Sequence, residues 1–234
     1  MSLDWGEVLR DTTFAVGARA PAIAHPRRLR EARERPFEGA LSRELDARLP
    51  DTLIARTGGT PGLLDFPALG PYDVSVSRAG ETSFEAVLEF KWWGPPGSRG
   101  GLPEKRHETL WDVLKVACSI AGGRARRGYL AVLAPEATWR ITNDFAGLFD
   151  GGDWSTRELC QRNPGAMIFF SPAHFGVTRV PAWVVAVPVA TQSVRDPLDG
   201  GEWALKTIAI KPRGPIELLA SAKQPPGSPQ DEPP

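Results

Sequence analysis

Residues 71–93 read PYDVSVSRAGETSFEAVLEFKWW, and the parity of this stretch decides the fold. Tyr72, Val74 and Val76 alternate with Asp73, Ser75 and Ser77. Phe84, Ala86, Leu88 and Phe90 alternate with Glu85, Val87, Glu89 and Lys91. Side chains along a strand point to opposite faces with period two, so this is the pattern of an antiparallel pair with one buried face. Ala79 and Gly80 mark the turn. An odd-length loop over 79–83 pairs Asp73 directly with Glu89, whereas a two-residue turn at Ala79-Gly80 separates them, because a one-residue slip exchanges the faces. The alternation favours the odd loop, since only then do the apolar faces coincide. The α-carbons of the two carboxylate residues then lie about 5 Å apart.

Upstream, Pro36 suits the first turn of a helix, and Phe37, Leu41, Leu45 and Leu49 recur every four residues until Pro50 stops the run. These side chains sweep an arc of roughly 120°. Glu38 falls inside that arc, between Leu45 and Leu49, where a carboxylate is costly unless paired or ligated. Glu44 and Asp46 lie at its edges and read as surface residues. A short strand is expected over 53–56, then a loop containing Gly58, Gly59, Pro61 and Gly62.

Downstream, a Gly-Pro loop runs from Gly94 to Pro103. A helix over 104–121 follows, with Leu110, Val113, Leu114, Ala117, Cys118 and Ala121 on one side and Gly122-Gly123 as its stop. Residues 129–134 (YLAVLA) read as a buried strand. The order is helix, strand, strand, strand, helix, strand. Further strands are expected over 167–170, 182–189 and 203–211, the last two paired across 196–201, with a short helix over 155–162. Residues 1–35 read as an N-terminal extension with a short helix over 5–9. Residues 36–220 form the domain, with its core at 36–134. The tail 221–234 (SAKQPPGSPQDEPP) holds too little apolar surface to offset its ordering entropy and is expected to be disordered. The expected class is α/β, a mixed sheet flanked by helices with additional C-terminal strands.

The 28 basic and 28 acidic side chains cancel, so any affinity for a polyanion must come from local patches. Two arginine groups are candidates for a phosphate-contacting surface or a merely solvated face: Arg27, Arg28, Arg30, Arg33 and Arg35, then Arg124, Arg126 and Arg127. Cys118 and Cys160 form no close-spaced pair, which excludes a zinc ribbon, a redox CxxC and a disulfide framework. No continuous apolar stretch opens the chain, and none approaches the roughly 20 residues of a spanning helix. A cytoplasmic protein without a membrane partner is expected.

Glu89 and Lys91, two apart on one strand, project from the same face, and Asp73 joins them if the register is odd. Two carboxylates side by side repel unless a cation joins them. A few oxygen ligands, with water and phosphate completing the shell, suit Mg2+, or Mn2+ in its place. Lys91 would then orient the attacking water or stabilise charge developing on phosphorus. The competing reading is a solvated polar sheet face with a modest Lys91–Asp73 contact.

The string PYDVSV…LEFKWW, with its preceding glutamate-bearing helix and following helix and strand, resembles the αβββαβ core of the PD-(D/E)XK, or restriction-endonuclease-like, superfamily. Tyr72 stands where that pattern nominally has proline. The resemblance implies a metal-dependent nuclease with a water nucleophile. By position, Asp73, Glu89 and the Phe90 backbone carbonyl would bind metal, Lys91 would serve catalysis, and Glu38 would support the site. It also implies nucleic acid as partner, DNA ahead of RNA; the sequence leaves monomer and homodimer both open. Lys115, Lys105 and Arg99 are the substrate-contact candidates, although Lys115 equally suits a snorkelling surface lysine. His107 reads as a packed or surface histidine. Trp92 and Trp93 suit core packing ahead of base stacking. A nuclease-fold module without turnover, acting as an immunity or regulatory partner, is one alternative; an unrelated α/β protein with a chance motif, which an even loop between the strands would favour, is another. Zero net charge speaks for it and the intact Asp73, Glu89 and Lys91 set against it.

Overall fold

The computed structural model describes residues 3–58, 71–95, 102–141, 143–162 and 178–219. In chain order the elements are α1 (Trp5–Ala18), α2 (Ala20–Ala24), a 3-10 turn (Leu29–Glu31), α3 (Glu34–Asp46), β1 (Leu53–Thr57), β2 (Val74–Arg78), β3 (Phe84–Trp92), α4 (Leu102–Ala121) and β4 (Gly128–Pro135). They continue with α5 (Glu136–Ile141), α6 (Asn143–Asp150), β5 (Gly152–Ser155), α7 (Thr156–Arg162), β6 (Thr178–Arg195) and β7 (Glu202–Leu219). The strands form one seven-stranded mixed sheet in the order β1-β2-β3-β4-β7-β6-β5. β3 and β4 run parallel, joined by α4, and the other neighbours are antiparallel. The expected order of six elements from helix 36–49 to strand 129–134 is present as α3 to β4. The strand expected over 167–170 and the tail 221–234 lie outside the described residues.

Both sheet faces are covered. Ala86, Leu88 and Phe90 of β3 pack with Trp5, Leu9, Phe37, Leu41 and Leu45 of α1 and α3. Val87 of the same strand packs with Leu110, Val113, Leu114 and Ala117 of α4. The expectation of one buried face is therefore corrected: the polar side of β3 lies beneath a helix, so its charged residues are buried. Gly128 allows that approach, because a β-carbon there would lie 2.1 Å from Val116 Cγ1. Aromatic contacts stiffen both layers: the Phe37 and Phe90 rings stack at 5.3 Å, and Trp93 lies 4.9 Å from Trp139.

The register of β2 on β3 is Val74↔Leu88, Ser75↔Val87 and Val76↔Ala86, then shifts to Ser77↔Phe84. Asp73, one residue before β2, thus stands opposite Glu89, although the loop between the paired Ser77 and Phe84 has six residues and is even, not odd as expected. A bulge at Glu85, not the turn itself, makes the correction. The extra residue turns Phe84 under α4, while buried Glu85 pairs with Arg126 at 3.1 Å and with Arg127. Strand geometry ends at Asp73. Tyr72 therefore joins the α4 layer, its hydroxyl bonded to Ser119, and does not share a face with Val74 and Val76.

The N-terminal segment contributes to the core. α1 runs well past the expected 5–9, capped by Asp4 Oδ1 accepting from Glu7 N at 3.1 Å. Thr13 and Thr207 join α1 to β7 through their hydroxyls at 2.8 Å. α3 begins at Glu34 and ends at Asp46, whose Oδ1 accepts from Ala55 N, in the middle of β1, at 2.9 Å; Asp46 and Glu44, which pairs with Arg48 at 2.6 Å, have structural partners. β6 and β7, each of 18 residues, pair across the expected turn and extend beyond the 182–189 and 203–211 limits. No helix among the described residues is long and apolar enough to cross a membrane.

Candidate active site

β3 outlasts its neighbour. β2 begins at Val74, opposite Leu88, so the next N–H groups on that edge, those of Phe90 and Trp92, have no strand to meet. Two carboxylates accept them: Asp73 Oδ2 takes Phe90 N–H at 2.7 Å, and Glu34 Oε1 takes Trp92 N–H at 3.1 Å. A buried amide left unmatched would cost about 1–3 kcal/mol, so these contacts close the edge. They also bring Asp73 against the peptide that links the Glu89 and Lys91 positions. Strand parity directs the Phe90 carbonyl to the same edge.

On the α4 face, two buried ion pairs cross from strand to helix. Lys115 Nζ lies 2.6 Å from Glu89 Oε1, and Lys91 Nζ lies 3.0 Å from Asp112 Oδ2. Glu89, Asp112 and Lys115 are each at most 5% exposed. Lys115 Nζ also donates to the Pro71 carbonyl at 2.6 Å and lies 5.2 Å from the Tyr72 ring centre. Lys91 is further approached by Glu34 Oε2 at 3.8 Å.

Five carboxyl groups (Glu34, Glu38, Asp73, Glu89, Asp112) thus gather around two ammonium groups. The excess negative charge appears in their proton affinities. Burial, then Asp112, drives the Glu89 pKa well above the carboxylate range despite Lys115. Burial raises Asp112 to about 6 against the opposing pull of Lys91 and Lys115. Half-buried Glu38 is raised by burial and then by Asp73 and Glu34. Burial by itself would lower Lys91, but Asp112, Glu34 and Asp73 outweigh it and hold the ammonium above the usual lysine range.

The four core candidates Asp73, Glu89, Lys91 and Glu38 are brought to one place. Lys115, a substrate-contact candidate, is corrected to a buried partner of Glu89. Lys105, at the first turns of α4, pairs with Glu108 at 2.8 Å and is not part of the cluster. Arg99 lies outside the described residues. Trp92 is bonded through Nε1 to the Leu29 carbonyl at 2.8 Å and lies 6.4 Å from Trp203, and buried Trp93 donates to Thr109 at 3.0 Å, so both serve packing.

Two members escaped sequence reasoning. Glu34 precedes the proline taken as the helix start. Asp112 falls opposite the apolar stripe of α4 and reads as solvent-facing, yet residues 109–119 are buried at every position except the partly buried Trp111. The i, i+3 spacing of Asp112 and Lys115, matching opposite charges two apart on β3, was the available signal.

A divalent cation would offset the excess negative charge of this donor set. Glu89 Oε1 and Asp112 Oδ2 are buried without a hydrogen bond of good angle, each facing only the charge of a lysine. Among the described residues, however, no three His, Cys, Asp or Glu side chains are arranged as a complete metal-holding group. Two carboxylates and one carbonyl would leave half of a six-fold shell to water, which is how magnesium is commonly held. Comparison with protein-family models, with curated proteins and with solved structures found no match.

Proposed function

We propose that the protein is a metal-dependent nuclease of the PD-(D/E)XK type, hydrolysing nucleic-acid phosphodiester bonds with water as nucleophile. One observation carries this reading: Asp73 is bonded to the peptide between the Glu89 and Lys91 positions, which gathers the three motif residues at one strand end. The αβββαβ element order, with β1 to β4 adjacent in that order, supports it.

Asp73, Glu89 and the Phe90 carbonyl would hold Mg2+ or Mn2+, which supplies Lewis-acid stabilisation of the phosphoryl oxygens and acidifies bound water. Lys91 stays protonated at neutral pH, so it acts as a donor to the attacking water or to a phosphoryl oxygen and not as a base. Asp112 and Glu34 fix the position of that ammonium. Glu38, half-buried with a raised pKa, is the carboxyl suited to accept the proton that the water releases. Lys115 would share Glu89 with the cation. DNA ahead of RNA is the substrate this reading favours.

A second reading is favoured by the Glu89–Lys115 pair: each neutralises the other without a cation, as in a nuclease-fold module retained for binding alone. Calorimetric titration with Mn2+ separates the two. A nuclease binds the ion in the wild type and loses it in Asp73→Asn with the fold intact, and it cleaves single- or double-stranded substrate in a chelator-sensitive manner. A folded wild type that takes up no ion and cleaves neither substrate supports the binding module.

A further inference from the structure

The segment 25–35, HPRRLREARER, carries five arginines and is anchored directly against the candidate site. Leu29 and Ala32 are buried. Leu29 N donates to Asp196 Oδ2 at 2.8 Å, and the Leu29 carbonyl accepts from the indole of Trp92, the residue following Lys91. Glu34, on the same segment, reaches Lys91 and the Trp92 amide. Apolar positions and backbone thus hold the segment down while its cations face outward. Arg27, Arg33 and Arg35 are exposed and Arg28 is half-buried. Arg30 is engaged by Glu31 at 3.5 Å and Asp199 at 4.0 Å, whereas the other four have no ion pair among the described residues.

Four unpaired guanidiniums on an anchored backbone are an uneconomical way to cover a neutral protein, since neutralising partners stabilise such a surface. A polyanion fits them, and its binding would order little main chain. The adjoining carboxylate cluster carries excess negative charge and would accept a phosphate only once a cation is bound in it, so the arginines must supply the attraction beside it. We propose that segment 27–35 is the track along which a nucleic-acid strand approaches the site, its phosphates neutralised by Arg27, Arg28, Arg33 and Arg35. The inference rests on the nuclease reading for the identity of its polyanion.

The test uses the full chain in EDTA, so that nothing turns over, and follows fluorescence anisotropy of labelled single-stranded DNA, duplex DNA and RNA across a NaCl series. Each neutralised phosphate of a single strand contributes about 0.7 to the slope of log K against log salt. The variant Arg27→Gln/Arg28→Gln/Arg33→Gln/Arg35→Gln should therefore lose about 3 from the slope and at least about tenfold in affinity at 100 mM salt. The matching Arg→Lys set should keep both, which separates charge from misfolding. A control of equal charge change, Arg10→Gln/Arg78→Gln/Arg157→Gln/Lys211→Gln, should remain near the wild type.

An unchanged slope in the first variant, an equal loss in the control, or no binding by the wild type at 50 mM salt overturns the track. So does wild-type binding to poly-glutamate or anionic vesicles that matches its binding to nucleic acid. Cleavage, measured separately with Mn2+, reports on the nuclease reading. Cleavage with unchanged slopes removes the track alone, and the expected slopes without cleavage remove the catalytic reading alone.

Discussion

The Phe90 amide donates to Asp73 Oδ2 at 2.7 Å, so the aspartate closes an open strand edge as well as standing at the candidate metal site. The two roles respond differently to substitution. Asp73→Ala removes the acceptor and should cost about 1–3 kcal/mol in urea unfolding. Asp73→Asn retains an amide oxygen for Phe90 N–H and should lose less than half of that. Equal destabilisation by both variants would show that the hydrogen bond is not the stabilising element.

Glu89 and Lys115 are buried together, and each is costly without the other. Lys115→Met should destabilise by about 3–5 kcal/mol, since it strands a buried carboxylate. The double variant Glu89→Leu/Lys115→Met should recover most of that loss by packing apolar groups under α4. A double variant as unstable as the single would mean that the Lys115 contact with the Pro71 carbonyl matters more than the pair.

The raised carboxyl pKa values set the sign of a pH effect. Asp112 titrates near 6 when folded and has a reference value of 3.8, so between those values the folded chain holds a proton that the unfolded chain has released. Stability therefore rises as pH falls from above 6 toward 4, and Glu89 acts in the same direction. Glu44, whose pKa is lowered by Arg48, works the opposite way below its reference value of 4.5. Tm measured from pH 8 down to pH 5 should climb in the wild type and climb less in Asp112→Asn. A falling wild-type Tm over that range would contradict the buried-carboxyl assignment.

Gly128 admits α4 to the sheet. In Gly128→Ala the new methyl meets Val116 at 2.1 Å, and overpacking of that kind costs about 1–3 kcal/mol. Gly17→Ala also collides, with Gln192 Cγ at 2.5 Å and Cβ at 2.9 Å, atoms held close to that residue's own backbone, and should cost a comparable amount. The comparison of the two midpoints in denaturant checks whether α4 or α1 packs the more tightly.

Much of the candidate site was legible because local rules act on it. Period-two alternation placed Glu89 and Lys91 on one face, and the four-residue repeat around Phe37, Leu41 and Leu45 turned Glu38 inward. The bulge at Glu85 was not legible. An extra residue in one strand leaves the composition unchanged, and only the demand that both apolar faces remain covered selects it. The long pairing of β6 with β7 was underestimated for a related reason, since its ends carry prolines and exposed residues that break the alternation.

The amino-acid order alone determined the succession of helices and strands from α3 to β4 and which charged groups share a strand face, because side-chain periodicity is a property of the backbone. Tertiary packing decided what those charges meet. A helix laid over the polar side of β3 excluded water from it, so Glu89 and Lys91 had to find Lys115 and Asp112. The end of β2 one residue short left amides that only Asp73 and Glu34 were placed to receive.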